Sequence, residues 1–581
     1  MAKLSSLRAS WTRAMNRLAA RYAARTRPAG GLVSQIEPRS IGYLSRGRQM
    51  LAGNLMFAGH LIEAPGRSLW EISPPDAAFA EEIHGFVWLD DLAAVGDARA
   101  RELAQSWLWE WIARYGAGRG PGWTPEQTGR RVIRWVHHAL FLLRGQDAAK
   151  AQAFYKALAA QTAFLARRGR KASAGLPRFE AMTGLLYAGL SLSGMEAHIP
   201  PARAALAREC TSQIDETGAI VTRNPEELLE VFTLLTWAQA ALEEAQMQPE
   251  REHLDAIARI APVLRGLRHA DGALARFHGG GRGLEGRLDH ALAASGKNTR
   301  LETDKLAMGF VRLSGGRTSA IMDVATPPMG AASAQAHAST LAFELTSGRR
   351  PLIVSCGSGE GFGEEWRRAG RASPSHSTLC LAGKSSARLG EKRQIGEYWR
   401  EWLEEAPRDV PVKITHPELA TRIEAGHDGY LRATGLTHAR ALEMSSDGRV
   451  LKGEDYLIAL EEAAKKRFDQ VMDETRLEGL GYEIRFHLHP DVDVALDMGG
   501  QAVSLALASG EIWVLRSVAG MALEPSVYLE KGRLRPRATT QIVLSGRAMQ
   551  YTTRIRWTLS KASDSPRATR DFVQHEADAQ L

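Results

Sequence analysis

The spacing of hydrophobic residues changes once along this chain, and that change constrains the fold more than any other feature. Between about residues 77 and 267, apolar residues recur every three to four positions, as in TPEQTGRRVIRWVHHALFLLRG and EELLEVFTLLTWAQAALEEA. After about residue 306 they alternate instead, as in YEIRFHL, where Ile484, Phe486 and Leu488 share one face. With 581 residues, the chain is too long for a single core. The pattern predicts a helical domain followed by an antiparallel β domain.

The polar stretch SGKNTRLETD, residues 295–304, separates the two patterns. We expect a helical domain over residues 46–300, a β domain over 301–560 and a polar tail over 561–581. The first domain contains six or more amphipathic segments in succession, which indicates stacked antiparallel helix pairs, and we expect no strands before about residue 290. The second contains repeated strand–turn–strand segments such as GFVRLSGGRTSAIMDV, which need two packed sheets or a barrel to bury their apolar faces.

Residues 1–45 are a basic amphipathic segment. Apolar residues at three- and four-residue spacing, with arginines between them, predict a helix; they are Leu4, Leu7, Trp11, Met15, Leu18 and Tyr22. One interpretation is a helix that lies on a membrane surface. The favoured interpretation is a helix that docks on its own protein. The start has no apolar run typical of a secretory signal, and nothing later is long enough to span a bilayer, so we expect a cytoplasmic protein.

Charge narrows the class of partner. The formal net charge of +8 fits a polyanionic partner. The basic residues are dispersed and no nucleic-acid recognition motif is present, so we expect no nucleic-acid partner. Three cysteines, an odd and sparse set, give no disulfide framework.

Several separated sequence motifs resemble those of the heparinase II/III-like family and occur in the same order. They are GWTPEQTGRRVIRWVHHAL, HADGALARFHGGG, QAHASTLAFELTSGRRPLIVSCG and WRRAGRASPSHSTL. The resemblance covers roughly residues 60–545. It implies an N-terminal (α/α) toroid followed by a C-terminal antiparallel β-sandwich. It also implies a lyase that cleaves a uronate-containing acidic polysaccharide by β-elimination, with the periplasm or cell envelope as an alternative location. Such a lyase neutralises the uronate carboxylate, removes the neighbouring proton and protonates the leaving oxygen.

In the β domain, the family's His-x-His-x-Asp strand matches Gln335, His337 and Ser339. The aspartate of the next strand is replaced by Ser355, and the later Arg-to-His segment matches Arg371 and His376. The resemblance implies that His337 and His376 are catalytic, with His337 as the base because imidazole titrates near neutral pH. Gln335 and Arg371 would bind substrate. A buried structural histidine is the alternative for both imidazoles, and an ion pair with a nearby acid, such as Glu364, is the alternative for Arg371.

In the helical domain, the family's Asn-His helix start aligns with PRFEAMTGLLYAG, which contributes Arg178 as a substrate-binding residue and Glu180 as a catalytic residue. The family's tyrosine segment aligns with TRNPEELLEVF, which carries Glu227 and no tyrosine. Tyr187 is the nearest helical alternative and is the expected phenol at the substrate. We expect six side chains to surround one cleft between the domains: Arg178, Glu180, Gln335, His337, Arg371 and His376.

The resemblance also raises the question of zinc, since some family members bind it through His and Asp. Zinc needs three or four protein ligands, and serine is a poor replacement for a carboxylate. Because Ser339 and Ser355 stand at the aspartate positions, we expect no cofactor and no tightly bound zinc.

Two functions follow from these residues. The first is a polysaccharide lyase acting on an acidic polysaccharide. The alternative is a non-catalytic carbohydrate-binding or envelope-associated protein on the same scaffold, because the first histidine, both aspartates and the tyrosine of the family pattern are absent.

Overall fold

The computed structural model describes residues 2–395 and 398–563. Its first half is predominantly helical, because the amphipathic segments bury their apolar stripes against one another. The helices of this half are α1 (Ala2–Ala23), α2 (Leu44–Leu51), α3 (Ala77–His84), α4 (Val87–Val95), α5 (Ala98–Tyr115), α6 (Pro125–His137), α7 (Ala139–Leu143), α8 (Ala148–Arg168), α9 (Leu176–Ser191), α10 (Ile199–Gln213), α11 (Pro225–Glu244), α12 (Arg251–Gly266) and α13 (Arg287–Ala294).

The second half is a sandwich of antiparallel strands, as the period-two pattern predicts. Its strands are β3 (Phe310–Gly315), β4 (Thr318–Asp323), β5 (Phe343–Ser347), β6 (Arg350–Val354), β7 (Leu379–Leu381), β8 (Arg388–Ile395), β9 (Tyr398–Glu405), β10 (Val412–Thr415), β11 (Ala420–His427), β12 (Thr437–Ser445), β13 (Val450–Ile458), β14 (Leu480–Leu488), β15 (Val492–Asp497), β16 (Ala502–Leu507), β17 (Ile512–Ser517), β18 (Gly520–Tyr528), β19 (Arg537–Ala548) and β20 (Thr552–Ser563).

Two large sheets face each other across the β core. One has the strand order β10-β11-β12-β13-β20-β17-β16-β15. The other has the order β18-β19-β14-β6-β5-β4-β3, with the short strand β7 also paired to β14. Ile484, Phe486 and Leu488 on β14 are fully buried in the core between the sheets. The predicted fold class, helices followed by an antiparallel β-sandwich, is therefore confirmed.

Two local features were not predicted. A hairpin of β1 (Asn54–Phe57) and β2 (His60–Glu63) lies within the helical half, so the expectation of no strands before about residue 290 is wrong. Its tight turn has left-handed backbone at Ala58 and Gly59. The β half also contains three helices, α14 (Glu364–Gly370), α15 (Leu431–Thr434) and α16 (Glu462–Glu474).

Helices α6 and α9 cross at close range, and this crossing positions Glu180, a predicted site residue on α9. A Cβ added to Gly129 on α6 would lie 2.2 Å from the carbonyl oxygen of Glu180 on α9. A Cβ added to Gly184 would lie 2.5 Å from the Cα of Gly129. Thr124 caps α6, accepting a hydrogen bond from the backbone N–H of Gln127, with proline next in sequence. The glycines therefore permit the close packing and the cap fixes where α6 begins.

Helix α1 packs against α8 and β8 through one face, where Asn16, Ala20 and Ala23 are buried. Arg168 donates to the Asn16 side chain at 2.8 Å. The docking interpretation therefore accounts for this face but not for the apolar stripe, which faces solvent. No helix in the described part of the chain combines the length and apolar character needed to cross a membrane. Of the predicted polar tail, residues 564–581 lie outside the described residues.

Candidate functional site

The two histidines expected to act together are direct neighbours. His337 Nδ1 lies 3.2 Å from His376 Nε2, and His376 Nδ1 lies 3.1 Å from the Ser355 hydroxyl. His337 follows a short helical turn and His376 precedes β7, so two loops at the sheet margin bring the rings together. Both imidazoles are buried. The family-based alignment thus identified a genuine pair, but one that lies inside the protein.

A buried aspartate anchors the same region. The Ser339 hydroxyl donates to Asp323 Oδ2 at 2.8 Å, and His278 Nε2 lies 3.4 Å from the same oxygen. The backbone N–H of His337 donates to His278 Nδ1 at 3.2 Å. Because that nitrogen accepts a hydrogen bond, the proton of a neutral His278 ring is on Nε2, toward the aspartate. Asp323, His278 and Ser339 therefore form one internal network that supports the loop carrying His337.

Arg223 joins this network to the helical domain. It precedes α11, and its Nη2 donates to Asp323 Oδ1 at 2.6 Å. Its other donors reach backbone carbonyls of the β domain at 2.9–3.2 Å; the acceptors are Met308, Gly309, Ala325 and Thr326. The guanidinium also lies over the Phe310 ring, 4.7 Å from its centroid. One side chain therefore fixes the base of the cleft between the two domains.

The electrostatics of the network follow from burial. Burial lowers the pKa of His376 to about 3, and the neighbouring His487 and His278 act in the same direction. Burial, with His376 close by, lowers the pKa of His337 well below its usual range. Burial alone would raise the pKa of Asp323, but Arg223 and His278 hold it well below normal. The expectation that His337 titrates near neutral pH is therefore wrong, because desolvation disfavours the imidazolium.

A small cavity opens at the outer side of His337. Gln335, His337 and Arg371 line it together with Glu360 and Arg400. Gln335 donates to Glu360 Oε2 at 3.2 Å, and Arg400 donates to the other oxygen at 2.6 Å. Three of the predicted β-domain residues thus share one cavity, and His376 contacts it through His337.

Arg371 is engaged with its own domain. Its guanidinium donates to the carbonyls of Ala336, Ser333 and Glu401 at 2.8–3.1 Å and is buried. Glu364 pairs with Arg367, while Arg371 Nη1 lies 3.8 Å from Glu401 Oε2, so Arg371 does pair with a nearby acid, though not with Glu364. The Arg371 side chain therefore holds neighbouring loops together through these hydrogen bonds. Its contact with a substrate remains a prediction.

The two predicted site residues at the start of α9, Arg178 and Glu180, have different ion-pair partners. Glu180 Oε1 accepts from Arg130 Nε at 2.5 Å, and burial raises the pKa of Glu180 despite that partner. Arg178 turns instead to α10, where it donates to Glu209 at 2.9 Å and to the Ala172 carbonyl. The structure therefore does not place Arg178 with the histidine pair.

Tyr187 does not lie at the cleft. It is fully buried in the helical core, its hydroxyl 3.4 Å from the Trp237 carbonyl and its ring against His137. Burial raises the pKa of its phenol further above the usual value. The expectation that Tyr187 contacts a substrate is wrong, because α9 is apolar on nearly all sides and Tyr187 packs inward.

The donor set does not fit the zinc site that the family implies. His337 and His376 bond to each other, while Ser339 and Ser355 bond to Asp323 and His376. Among residues 2–395 and 398–563, no three His, Cys, Asp or Glu side chains are grouped so that they could hold one metal ion.

The sequence pattern assigned no role to Arg223 or His278. One signal was available, since Asp323 interrupts the apolar run SAIMDVA and a buried carboxylate needs partners. Another was the HGGG segment, where His278 and Gly279 both adopt left-handed backbone. The partner in the helical domain, 100 residues away in sequence, gave no local signal.

A helical half followed by a two-sheet sandwich, with a histidine pair at their junction, is a heparinase-like architecture. The chain belongs to the heparinase II/III-like family: the model of its C-terminal domain, "Heparinase II/III-like, C-terminal", matches residues 299–558. The chain is 31% identical over 550 residues to FtsZ-localized protein C of Caulobacter vibrioides (strain NA1000 / CB15N), a match that covers 92% of this chain and 91% of the relative.

Solved structures agree on the fold. Heparinase III superposes with a TM-score of 0.66 at 14% identity, covering 93% of this chain and 88% of that one. Heparan sulfate lyase HepC from Pedobacter heparinus gives 0.55 at 13% identity, covering 96% and 89%. The chondroitin AC lyase of Streptomyces coelicolor A3, in complex with chondroitin sulphate, gives 0.51 at 12% identity, covering 90% and 78%. These likenesses show that the chain has the fold of these lyases.

Proposed function

We propose that this protein is a non-catalytic, envelope-associated polysaccharide-binding protein built on the lyase scaffold. One observation carries the proposal. The residues at the family's catalytic positions hydrogen-bond to one another inside the protein: His337 to His376, and Ser355 to His376. Ser339, at the position of the family's aspartate, is likewise turned inward to Asp323. Side chains committed in this way stabilise the domain junction.

Two of the three tasks of β-elimination lack a suited group. The carboxylate of a uronate needs an accessible cation, but Arg371 is bound to three backbone carbonyls. Proton abstraction needs an adequate base, and an imidazole with a strongly lowered pKa is a weak one. Protonation of the leaving oxygen has a candidate in Glu227, at the family's tyrosine position, since burial raises the pKa of its carboxyl. An acid alone cannot start the elimination, because the proton must first be removed by a base. The function that remains is binding of sugar hydroxyls in the cleft without cleavage of the polysaccharide.

The test combines turnover with binding. Purified protein is incubated with uronate polysaccharides and followed by the ultraviolet absorbance of the unsaturated product, while a glycan array reports binding in parallel. We expect binding of some glycan and no product. Product formed by the wild type and by His290→Ala, an exposed control, but abolished in His337→Ala, would establish the lyase instead.

We also propose that the protein localises with FtsZ, as the name of its Caulobacter relative states for that protein. The proposal rests on 31% identity over nearly the full length of both chains. A fluorescent fusion, imaged together with labelled FtsZ in the native host, should coincide with it. An even distribution that does not change when FtsZ is depleted would overturn this part.

Helix α1 supplies the means of envelope association. Its stripe of Leu7, Trp11, Leu18 and Tyr22 is 58–69% exposed, although the opposite face is packed on the protein. Exposed arginines flank the stripe, and no acidic residue precedes Glu37; they are Arg8, Arg17, Arg21 and Arg25. An apolar stripe with cationic flanks, held flat on the protein surface, suits the headgroup region of an anionic membrane.

Vesicle flotation tests this contact. We expect full-length protein to float with vesicles containing phosphatidylglycerol, and to do so less at high salt or with phosphatidylcholine alone. Trp11→Glu and Leu18→Glu should each reduce the bound fraction at least severalfold. Val518→Glu, at a fully exposed apolar residue of the β domain, is the matched control and should bind as wild type does. Equal flotation of all variants would contradict the assignment.

A further inference from the structure

The cavity beside His337 is too small to hold a sugar in this structure. Its volume is about 10 Å³, which is room for about one water molecule. Three of the side chains that line it bond to one another. Glu360 Oε1 accepts from Arg400 Nη2 at 2.6 Å, and Glu360 Oε2 accepts from the Gln335 amide at 3.2 Å. A glycan can therefore enter only if part of this lining moves.

Glu360 lies on a short, glycine-rich turn at the surface. The turn is a single 3₁₀ turn, Glu360–Phe362, whose last N–H donates to the Gly359 carbonyl at 3.0 Å. Gly361 and Gly363 are exposed. Gly363 has a φ of +99°, which glycine adopts readily, and a Cβ added there would meet no atom within 4 Å. The turn can therefore change conformation without disturbing the core.

This turn also contacts the helical half of the protein. A Cβ added to Gly59, at the tip of the β1–β2 hairpin, would lie 2.6 Å from the carbonyl oxygen of Gly361. On the other side, the Glu360 side chain reaches Arg400 on β9. While the bonds of Glu360 are in place, the turn thus joins the hairpin of the helical half to the lining of the cavity.

Arg400 is held in position by more than Glu360. Its guanidinium lies over the Tyr398 ring, 4.5 Å from the ring centroid, and its side chain is 13% exposed. The Glu360 side chain is 32% exposed, so solvent reaches the ion pair from the glutamate side. Ion pairs that solvent reaches contribute little stability. An incoming carboxylate can therefore exchange with Glu360 while Arg400 stays oriented.

We propose that the Glu360 carboxylate is an internal ligand that keeps the cavity closed, and that an acidic group of the glycan displaces it. The inference rests on the proposed binding function and specifies how its cavity opens and which group it selects. A glycan carboxylate would accept the same two hydrogen bonds, from Arg400 and from Gln335, and the bond from Arg400 is charge-assisted. The released turn would then make room for the sugar. A carboxylate held at Arg400 is bound but not cleaved, because the buried His337 imidazole remains a weak base.

Isothermal titration of the full-length protein tests the exchange. The probe is the heparosan tetrasaccharide, in which glucuronate alternates with N-acetylglucosamine, and its matched control is the same tetrasaccharide with methyl-esterified carboxylates. Glu360→Gln keeps the shape but removes the competing charge, so it should bind the acid probe about fivefold more tightly than the wild type. Arg400→Gln breaks the same ion pair but removes the receiving cation, so it should bind about tenfold more weakly or worse.

Opposite effects at the two ends of one ion pair separate competition from loss of structure, which would weaken binding in both variants. Glu405→Gln is the matched control, since Glu405 lies on the same strand and pairs with Arg388 away from the cavity; it should bind as the wild type does. The wild type gives a further measure by hydrogen exchange. Excess acid probe should speed exchange at the amides of residues 360–363, because the turn is released, even if a variant fails to fold.

Several outcomes would overturn this inference and leave the binding function intact. They are unchanged or weaker binding in Glu360→Gln, tighter binding in Arg400→Gln, equal binding of the ester and the acid probe, or slower exchange of the turn with the probe bound. Binding of the acid probe by none of the proteins would also overturn it. Failure of the wild type and of Glu360→Gln on a wider glycan array would extend that result to the binding function.

Discussion

Replacing the buried Arg223 should loosen the junction between the helical domain and the β domain. Arg223→Met removes the hydrogen bonds that Arg223 donates to Asp323 and to four backbone carbonyls, while it keeps most of the side-chain length. Breaking a buried ion pair by removing one partner costs about 3–5 kcal/mol, because the remaining charge stays desolvated. Asp323 is fully buried and retains only Ser339 and His278, so we expect a loss within that range.

A second change separates the ion pair from the packing. Arg223→Met with Asp323→Asn removes the stranded charge, and the coupling between the two positions should be about 1–3 kcal/mol. Arg251→Met is the control, since Arg251 forms an exposed pair with Asp255 whose loss should cost less than about 1 kcal/mol.

Urea unfolding followed by tryptophan fluorescence gives the free energies, and hydrogen exchange gives the location. In Arg223→Met, the amides of residues 308–310 and 323–326 should exchange faster than in the wild type, because their segment has lost its anchor. A variant with wild-type stability and unchanged exchange in these segments would refute the view that Arg223 fixes the junction.

Three further predictions concern stability and composition. The free energy of unfolding should fall as the pH drops from about 6.5 to about 3, because His376 takes up a proton in the unfolded chain but not in the folded protein, where its pKa is about 3. At pH 5 this histidine alone should cost about 2 kcal/mol. In His376→Gln, the urea concentration at the unfolding midpoint should therefore depend less on pH. Gly129→Ala should lower the melting temperature through a loss of about 1–3 kcal/mol, because the new Cβ would meet the Glu180 carbonyl; an unchanged melting temperature would contradict the tight crossing. Elemental analysis of purified protein should find far less than one zinc per chain, and stoichiometric zinc would contradict the interpretation of Ser339 and Ser355.

The sequence predicts the architecture because its signals are local and repeated. The alternation of Ile484, Phe486 and Leu488 defines a half-buried strand wherever its partners lie, and β14 is that strand. The hairpin β1–β2 escaped because each strand has only four residues, too few to show a period. Existence and type of long elements are readable from periodicity, while short elements depend on neighbours.

The site was only partly predictable. The order of the family motifs predicted that His337 and His376 lie together, and the structure places His337 Nδ1 3.2 Å from His376 Nε2. Burial could not be read from the sequence, since a histidine on a loop looks the same whether it faces a cleft or the core. That difference decides the pKa of both rings and with it their chemistry. The link between Arg223 and Asp323 depends on domain packing over 100 residues of sequence and had no local signature.

The central claim, that this scaffold binds a glycan but does not cleave it, is tested most directly under single-turnover conditions. Protein in molar excess is incubated with each of several defined uronate oligosaccharides, and the glycans are recovered for mass spectrometry, so that even a very slow reaction is visible. The account predicts that only intact oligosaccharides are recovered. Fragments with an unsaturated terminal uronate from the wild type, absent with His337→Ala, would contradict it.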